Sequence, residues 1–206
     1  MSYRHLSARV SRRVLVATAA AGAVAMAVGV TAAWATTRPN AHEQSFSFSL
    51  KRSAAVVSCL PHASGRVTIT TGSLNDTMTV SLRGMPPNSG YDLFVIQQPN
   101  KPFGVSWYQS DVNVGRHGTG SATVRGIFNS ETFSVSPGGT ATFAPTHQYH
   151  LGLWFNNPRT PFNLGCEPGV KTPVVTPFNG EQHAGIQALN TANFPVSKGP
   201  LSHVHG

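Results

Sequence analysis

Eight of the nine histidines in the chain lie beyond residue 35: His42, His62, His117, His147, His150, His183, His203 and His205. Neutral imidazole is a favoured ligand for copper and zinc, so this supply raises the question of a metal site. His147 and His150 are three apart, a spacing that shares one face of a helix but splits across the two faces of a strand. His203 and His205 are two apart and point the same way if extended. These four are the metal candidates, with copper or zinc as the ion. The first reading is blander: surface or hydrogen-bonded core histidines, and no cofactor.

Three Pro-Phe pairs sit in Asn-rich stretches, Asn100-Lys101-Pro102-Phe103-Gly104, Asn157-Pro158-Arg159-Thr160-Pro161-Phe162-Asn163 and Thr176-Pro177-Phe178-Asn179-Gly180. If these loops converge, Phe103, Phe162 and Phe178 with Asn100, Asn157, Asn163 and Asn179 make a ligand-binding face for a cell-wall glycan or an extracellular protein. Each Phe plugging its own loop explains the same letters. Asp111-x-Asn113-x-Gly115 resembles half of a calcium loop but has no closing acid, and a turn accounts for it.

Catalytic signatures are absent. The sequence contains no G-x-S-x-G, no H-E-x-x-H, no phosphate loop and no dinucleotide fingerprint. Its seven acids, Glu43, Asp76, Asp92, Asp111, Glu131, Glu167 and Glu181, lie mostly where turns or strand ends are expected. A hydrolase would need two of them, or a Ser-His pair, brought together by folding. No catalytic residue is assigned. The two cysteines, Cys59 and Cys166, read as one disulfide rather than a free catalytic thiol beside His62.

The elements that must hold these residues are strands. Met78, Val80 and Leu82 alternate with polar neighbours from Asp76 to Arg83, the period of a half-buried strand. Pro86-Pro87 cannot donate to a ladder and Asn88-Ser89-Gly90 supplies turn chemistry, so the chain reverses there. From Tyr91 to Ile96 both parities are apolar, which implies burial on both sides. Short alternation recurs at Val67/Ile69, Val105/Trp107, Ala122/Val124/Gly126, Phe133/Val135 and Tyr149/Leu151/Leu153/Phe155. On the last of these the outward set is His150, Gly152 and Trp154. Asp111 to Ser121 reads as the hinge between middle strands, and nothing beyond the first 35 residues shows helical periodicity.

The run Leu82-x-Gly84-Met85-Pro86-Pro87-Asn88-Ser89-Gly90-Tyr91-x-Leu93-x-Val95 resembles the tyrosine corner of immunoglobulin-like and fibronectin type III-like sandwiches. That resemblance implies that Tyr91 caps the corner through its hydroxyl. The expected fold is therefore all-β, an antiparallel immunoglobulin-like β-sandwich of about seven to nine strands, after an N-terminal signal or anchor helix.

Arg4, Arg9, Arg12 and Arg13 precede an Ala-rich apolar run from Val14 to Ala35 that ends in Ala33-Trp34-Ala35. This is the pattern of a signal peptide over 1–35, or of an uncleaved membrane anchor over 14–35. Ser11-Arg12-Arg13-Val14-Leu15-Val16 is similar to the twin-arginine export signal. Residues 36–54 read as a polar tether ending in a short first edge strand at Phe46–Leu50, and 55–206 as one domain. The formal charge of +8 counts 15 Lys and Arg against 7 acids; without the four arginines of the leader, 11 against 7 leaves +4, scattered along the chain. Nucleic acid is a poor partner for such a surface, and membrane contact is expected only through the N-terminal segment. The function expected is a non-catalytic secreted or envelope-associated binding or structural module of a bacterium. The alternatives are an extracytoplasmic copper or zinc protein and a hydrolase on a sandwich scaffold.

Overall fold

A computed structural model describes residues 44–128, 149–177 and 183–204. The expected leader and residues 36–43 of the expected tether, the expected strand at Phe133/Val135, and the candidates His147, Phe178, Asn179 and His205 lie outside the described residues, as does the side chain of His203.

The chain is all-β. In order it forms β1 (Ser45–Arg52), β2 (Ser64–Thr70), β3 (Asp76–Arg83), β4 (Gly90–Ile96), β5 (Ser106–Asn113), β6 (Gly120–Gly126), β7 (His150–Phe155), a five-residue helix α1 (Arg159–Asn163), β8 (Thr176–Pro177), β9 (His183–Ala184) and β10 (Gln187–Asn190). Short 3₁₀ turns occupy Ala54–Val56 and Pro200–His203. Eight strands form one antiparallel sheet in the order β5-β4-β7-β10-β1-β2-β3-β6, and β8 pairs with β9 in a separate small ribbon. The two outer strands meet through the isolated Val114–Gly120 bridge, so the sheet curls back nearly onto itself.

The period-two pattern of β3 buries Met78, Val80 and Leu82 on the core face, where Val67 and Ile69 of β2 meet them. The reversal after β3 needs Gly84 at φ 65°, because a Cβ there would strike the carbonyl of His62. The corner docks on the β5–β6 turn, with Met85 N donating to Gly118 O at 3.1 Å and Val114 N to Ser89 O at 2.8 Å. Tyr91 is fully buried, 4.9 Å from the ring of Phe155, and its hydroxyl lies 3.1 Å from Ser89 Oγ, which donates to Pro86 O at 2.6 Å. Burial pushes the phenol up to about 12.

β4 and β7 are buried on both faces. Their core-facing residues are Tyr91, Leu93 and Val95, and Leu151, Leu153 and Phe155; the opposite face carries Asp92, Phe94 and Ile96 beside His150, Gly152 and Trp154. The outward set expected on β7 is thus covered. Phe103 and Ala184 pack over Phe94, Ile96 and Trp154 as part of a second small apolar cluster. Cys59 is disulfide-bonded to Cys166, 107 residues away.

Three expectations need correction. Ser45–Arg52 is strand and not tether. Residues Ser45 to Leu50 ladder with β2 on one side, as the edge-strand reading of Phe46–Leu50 expects, while Lys51 and Arg52 pair with β10, so the folded part begins before residue 55. The hinge starts later than the letters suggested: Asp111, Val112 and Asn113 belong to β5, and the turn is held by Gly115 N to Thr119 O and Gly118 N to Gly115 O. A short helix, α1, also appears where no helical period is visible, five residues being too few to show one.

Candidate functional site

Two depressions flank Trp154, a residue only 4% exposed. The first, a cleft of about 240 Å³, is lined by the 3₁₀ turn residues Ala54 and Ala55, by Asn100, Lys101 and Phe103 of the β4–β5 loop, by Trp154, and by Ile186 and Gln187. The ring of Phe103 meets Trp154 edge-on at 4.9 Å. The loop is shaped by a cis Lys101–Pro102 peptide and tied down by Gln97, whose Oε1 accepts from Val105 N at 2.9 Å.

The polar groups of the cleft floor are mostly committed. Ser53 Oγ donates to Gln187 O. Asn190 Oδ1 accepts from Ala192 N at 3.0 Å, so its Nδ2 is the donor to Gln187 Oε1 at 2.8 Å and to Pro99 O at 3.3 Å. This network fixes the Gln187 amide and leaves its Nε2, buried beside Gly152, without a hydrogen-bond partner among the described residues. Asn100 and Lys101 at the rim are exposed, and no ion pair forms among the described residues.

The second depression, a polar recess of about 250 Å³, is lined by Asp92, Asp111, Asn156 and His183. Asp92 faces Asp111 across β4–β5 and Trp154 across β4–β7. It is 5% exposed. Burial, then a hydrogen bond to Asp111 and its charge, raise the Asp92 carboxyl to about 7. Asp111 in turn accepts from the Tyr108 hydroxyl at 2.8 Å. Residues three apart on a regular strand point to opposite faces; a bulge where Leu93 pairs with Ser110 but Phe94 with Tyr108 puts both on one side.

Of the expected ligand face, Asn100 and Phe103 line the cleft, whereas Phe162, Asn157 and Asn163 do not. Phe162 and Asn163 belong to α1, and Asn157 Oδ1 accepts from Arg159 N at 2.9 Å at the entry to that helix. His150 is fully buried. Its Nε2 donates to Val196 O at 3.0 Å, and its Nδ1 lies in hydrogen-bond contact with Thr191 Oγ1 at 2.9 Å. Neither nitrogen is left for a metal, and burial holds its pKa below the ordinary imidazole value. Among the described residues no group of three or more His, Cys, Asp or Glu is placed to hold a metal ion. No helix among them is long and apolar enough to cross a membrane.

Asp92 is the residue that reading the sequence passed over. Its signal was there: one charge inside the otherwise apolar run Tyr91–Ile96. A carboxyl in a strand buried on both sides must be neutral or find a partner. No protein-family model and no curated protein matches the chain.

Proposed function

We propose that the chain is an exported, non-catalytic binding module of the bacterial cell envelope or exterior, an immunoglobulin-like sandwich whose ligand site is the Phe103–Trp154 cleft. The observation that carries this reading is the cleft itself, an apolar trough with aromatic walls and an exposed Lys101 at the rim. Export through the twin-arginine-like leader, cleaved or kept as an anchor, fits a disulfide-bonded domain, since such bonds persist outside the reducing cytosol. In the sandwich reading β1 passes from one layer to the other.

An extracellular protein suits the cleft better than a glycan. Sugar hydroxyls each require a partner, while Ser53 Oγ and Gln187 Oε1 are already spent, which leaves the buried Gln187 Nε2 as the unpartnered donor of the floor among the described residues, and Trp154 offers little of its face. A large apolar side chain beside an acidic residue would fill the trough and meet Lys101. The test is a thermal-shift series on the full chain with Leu- or Phe-containing acidic peptides and with soluble cell-wall glycans. The peptides are expected to raise Tm, and Phe103→Ala to abolish that rise while lowering the Tm of the free protein by only a few degrees, about 1 kcal/mol of lost ring contact. A rise with glycans alone would reassign the ligand class. A rise with neither would remove the cleft as the site.

A hydrolase reading draws on the meeting of Asp92 and Asp111. The pair is hydrogen-bonded, closer than the separation of about 5–9.5 Å at which two carboxyls flank a glycosidic bond, so it does not favour that chemistry. The copper or zinc alternative rests on His147, His203 and His205 alone, since His150 is committed.

A further inference from the structure

The carboxyl pair lies in the seam between β5, an outer strand, and β4. β5 is held by its β4 ladder and by the single Val114–Gly120 bridge to β6. The groups facing Asp92 can be enumerated. From β5 come Asp111 and, through it, Tyr108; from β7 come Trp154 and, just beyond the strand, Asn156; from β9 comes His183. Among the described residues no lysine or arginine lines the recess, so neither is there to compensate two ionised carboxylates.

Tyr108 links this seam to the cleft. Its ring meets Phe94 edge-on at 5.7 Å, Phe94 meets Trp154 edge-on at 5.5 Å, and Trp154 meets Phe103 edge-on at 4.9 Å. Four rings thus run in an unbroken row from the hydroxyl bound to Asp111 to the wall of the cleft.

We propose that Asp92 and Asp111 form a proton-operated latch: one shared proton closes the β4–β5 seam, and its loss loosens β5 and, through Tyr108, the aromatic row that walls the cleft. With the proton present, Asp92 donates to Asp111 and the pair carries a single charge. Without it, two like charges face each other in a buried seam and the hydrogen bond has no proton.

The direction in pH follows. The Asp92 carboxyl is raised in the folded protein to about 7, so the folded state keeps a proton that the unfolded chain has released. The stabilisation is fully present below the ordinary carboxylate range, near pH 4, and is lost as pH rises through about 7. His150 opposes this, because its lowered pKa makes the fold less stable as pH falls below the imidazole range. Global melting therefore mixes two opposite trends, and the seam itself has to be read.

The experiment is amide hydrogen exchange of the full chain from pH 5.5 to 8.5, corrected for intrinsic rates and followed over Ser106–Asn113. Protection of β5 is expected to fall about tenfold or more as pH passes 7, while β2 and β3 change little. Asp92→Asn removes the titrating group and supplies an amide donor to Asp111, so protection should become flat with pH; Asp111→Asn removes the like charge but leaves Asp92 buried, so the fall in protection should shrink several-fold. His183→Gln must leave the transition in place. The latch is overturned if wild-type β5 protection is flat across this range, if Asp92→Asn keeps the transition, if Asp111→Asn leaves its size unchanged, or if His183→Gln removes it. Should one asparagine variant fail to fold, the other carries the test.

Discussion

Replacing both Cys59 and Cys166 with alanine is expected to lower the unfolding free energy by about 4.7 kcal/mol, the chain-entropy value for a closed loop of this size. Equilibrium urea unfolding of the oxidised wild type and the double variant measures it. A difference under about 1 kcal/mol would mean that the bridge constrains little beyond what the fold already fixes. The loss should not be spread evenly. Cys59 follows the 3₁₀ turn whose Ala54 and Ala55 form one wall of the cleft, and Arg52 Nη1 steadies the same stretch by donating to Pro61 O at 2.8 Å and Leu60 O at 3.3 Å. On the other side, Cys166 N donates to Pro161 O at 3.0 Å, continuing from α1. Cutting the bridge separates the cleft wall from the layer over β7, so any ligand recognised there should bind more weakly even below the melting temperature.

Gly152→Ala is the second change with a large expected effect. A Cβ at this position would strike Cζ3 of the Trp154 ring and sit 2.7 Å from its Cη2 and 2.8 Å from Gln187 Nε2. Neither neighbour can retreat freely: Trp154 is wedged edge-on between Phe94 and Phe103, and Gln187 is held by Asn190. Overpacking of this kind costs about 3 kcal/mol, a fall of roughly 6–12 °C in Tm for a domain of this size. The test is differential scanning calorimetry with near-ultraviolet circular dichroism to follow the aromatic packing. Unchanged melting and spectrum would show that the row of rings is loosely seated, and would weaken the latch along with it.

The parts of this molecule that could be read from the letters are those set by neighbours in sequence. Met78, Val80 and Leu82 declare a strand by their period, Pro86-Pro87-Asn88-Ser89-Gly90 declares a reversal, and Tyr91 to Ile96 declares burial on both faces; the structure has each. What stayed hidden was set by distant partners. That the strand runs on past Leu50 through Lys51 and Arg52 depends on β10, some 140 residues later, whose four residues carry no alternation. The cover over Trp154 comes from loops and the two-residue strand β9, which leave no periodic trace.

The candidate site divides in the same way. Asn100 and Phe103 were visible because Pro-Phe in an Asn-rich loop is an unusual string. Gln187 and Ser53 were not, being ordinary polar letters until folding sets them against each other. The Asp92–Asp111 pairing was invisible for a sharper reason. Which residue of β5 faces Asp92 is fixed by strand register, and the bulge beside Leu93 and Phe94 shifts that register by one within the strand itself.

The partner exchange along β1 bears on where this protein can be cut. Starting the chain at residue 55 would remove the strand that joins β2 to β10, leaving β2 with a bare row of amides and carbonyls and β10 unpaired at Leu189 and Asn190 on that side. Such a fragment is expected to aggregate or to swap strands between copies. A synthetic peptide spanning Ser45–Arg52, supplied in trans, should fill the gap and restore a monomer by size-exclusion chromatography, much as a donated strand completes an unfinished sheet.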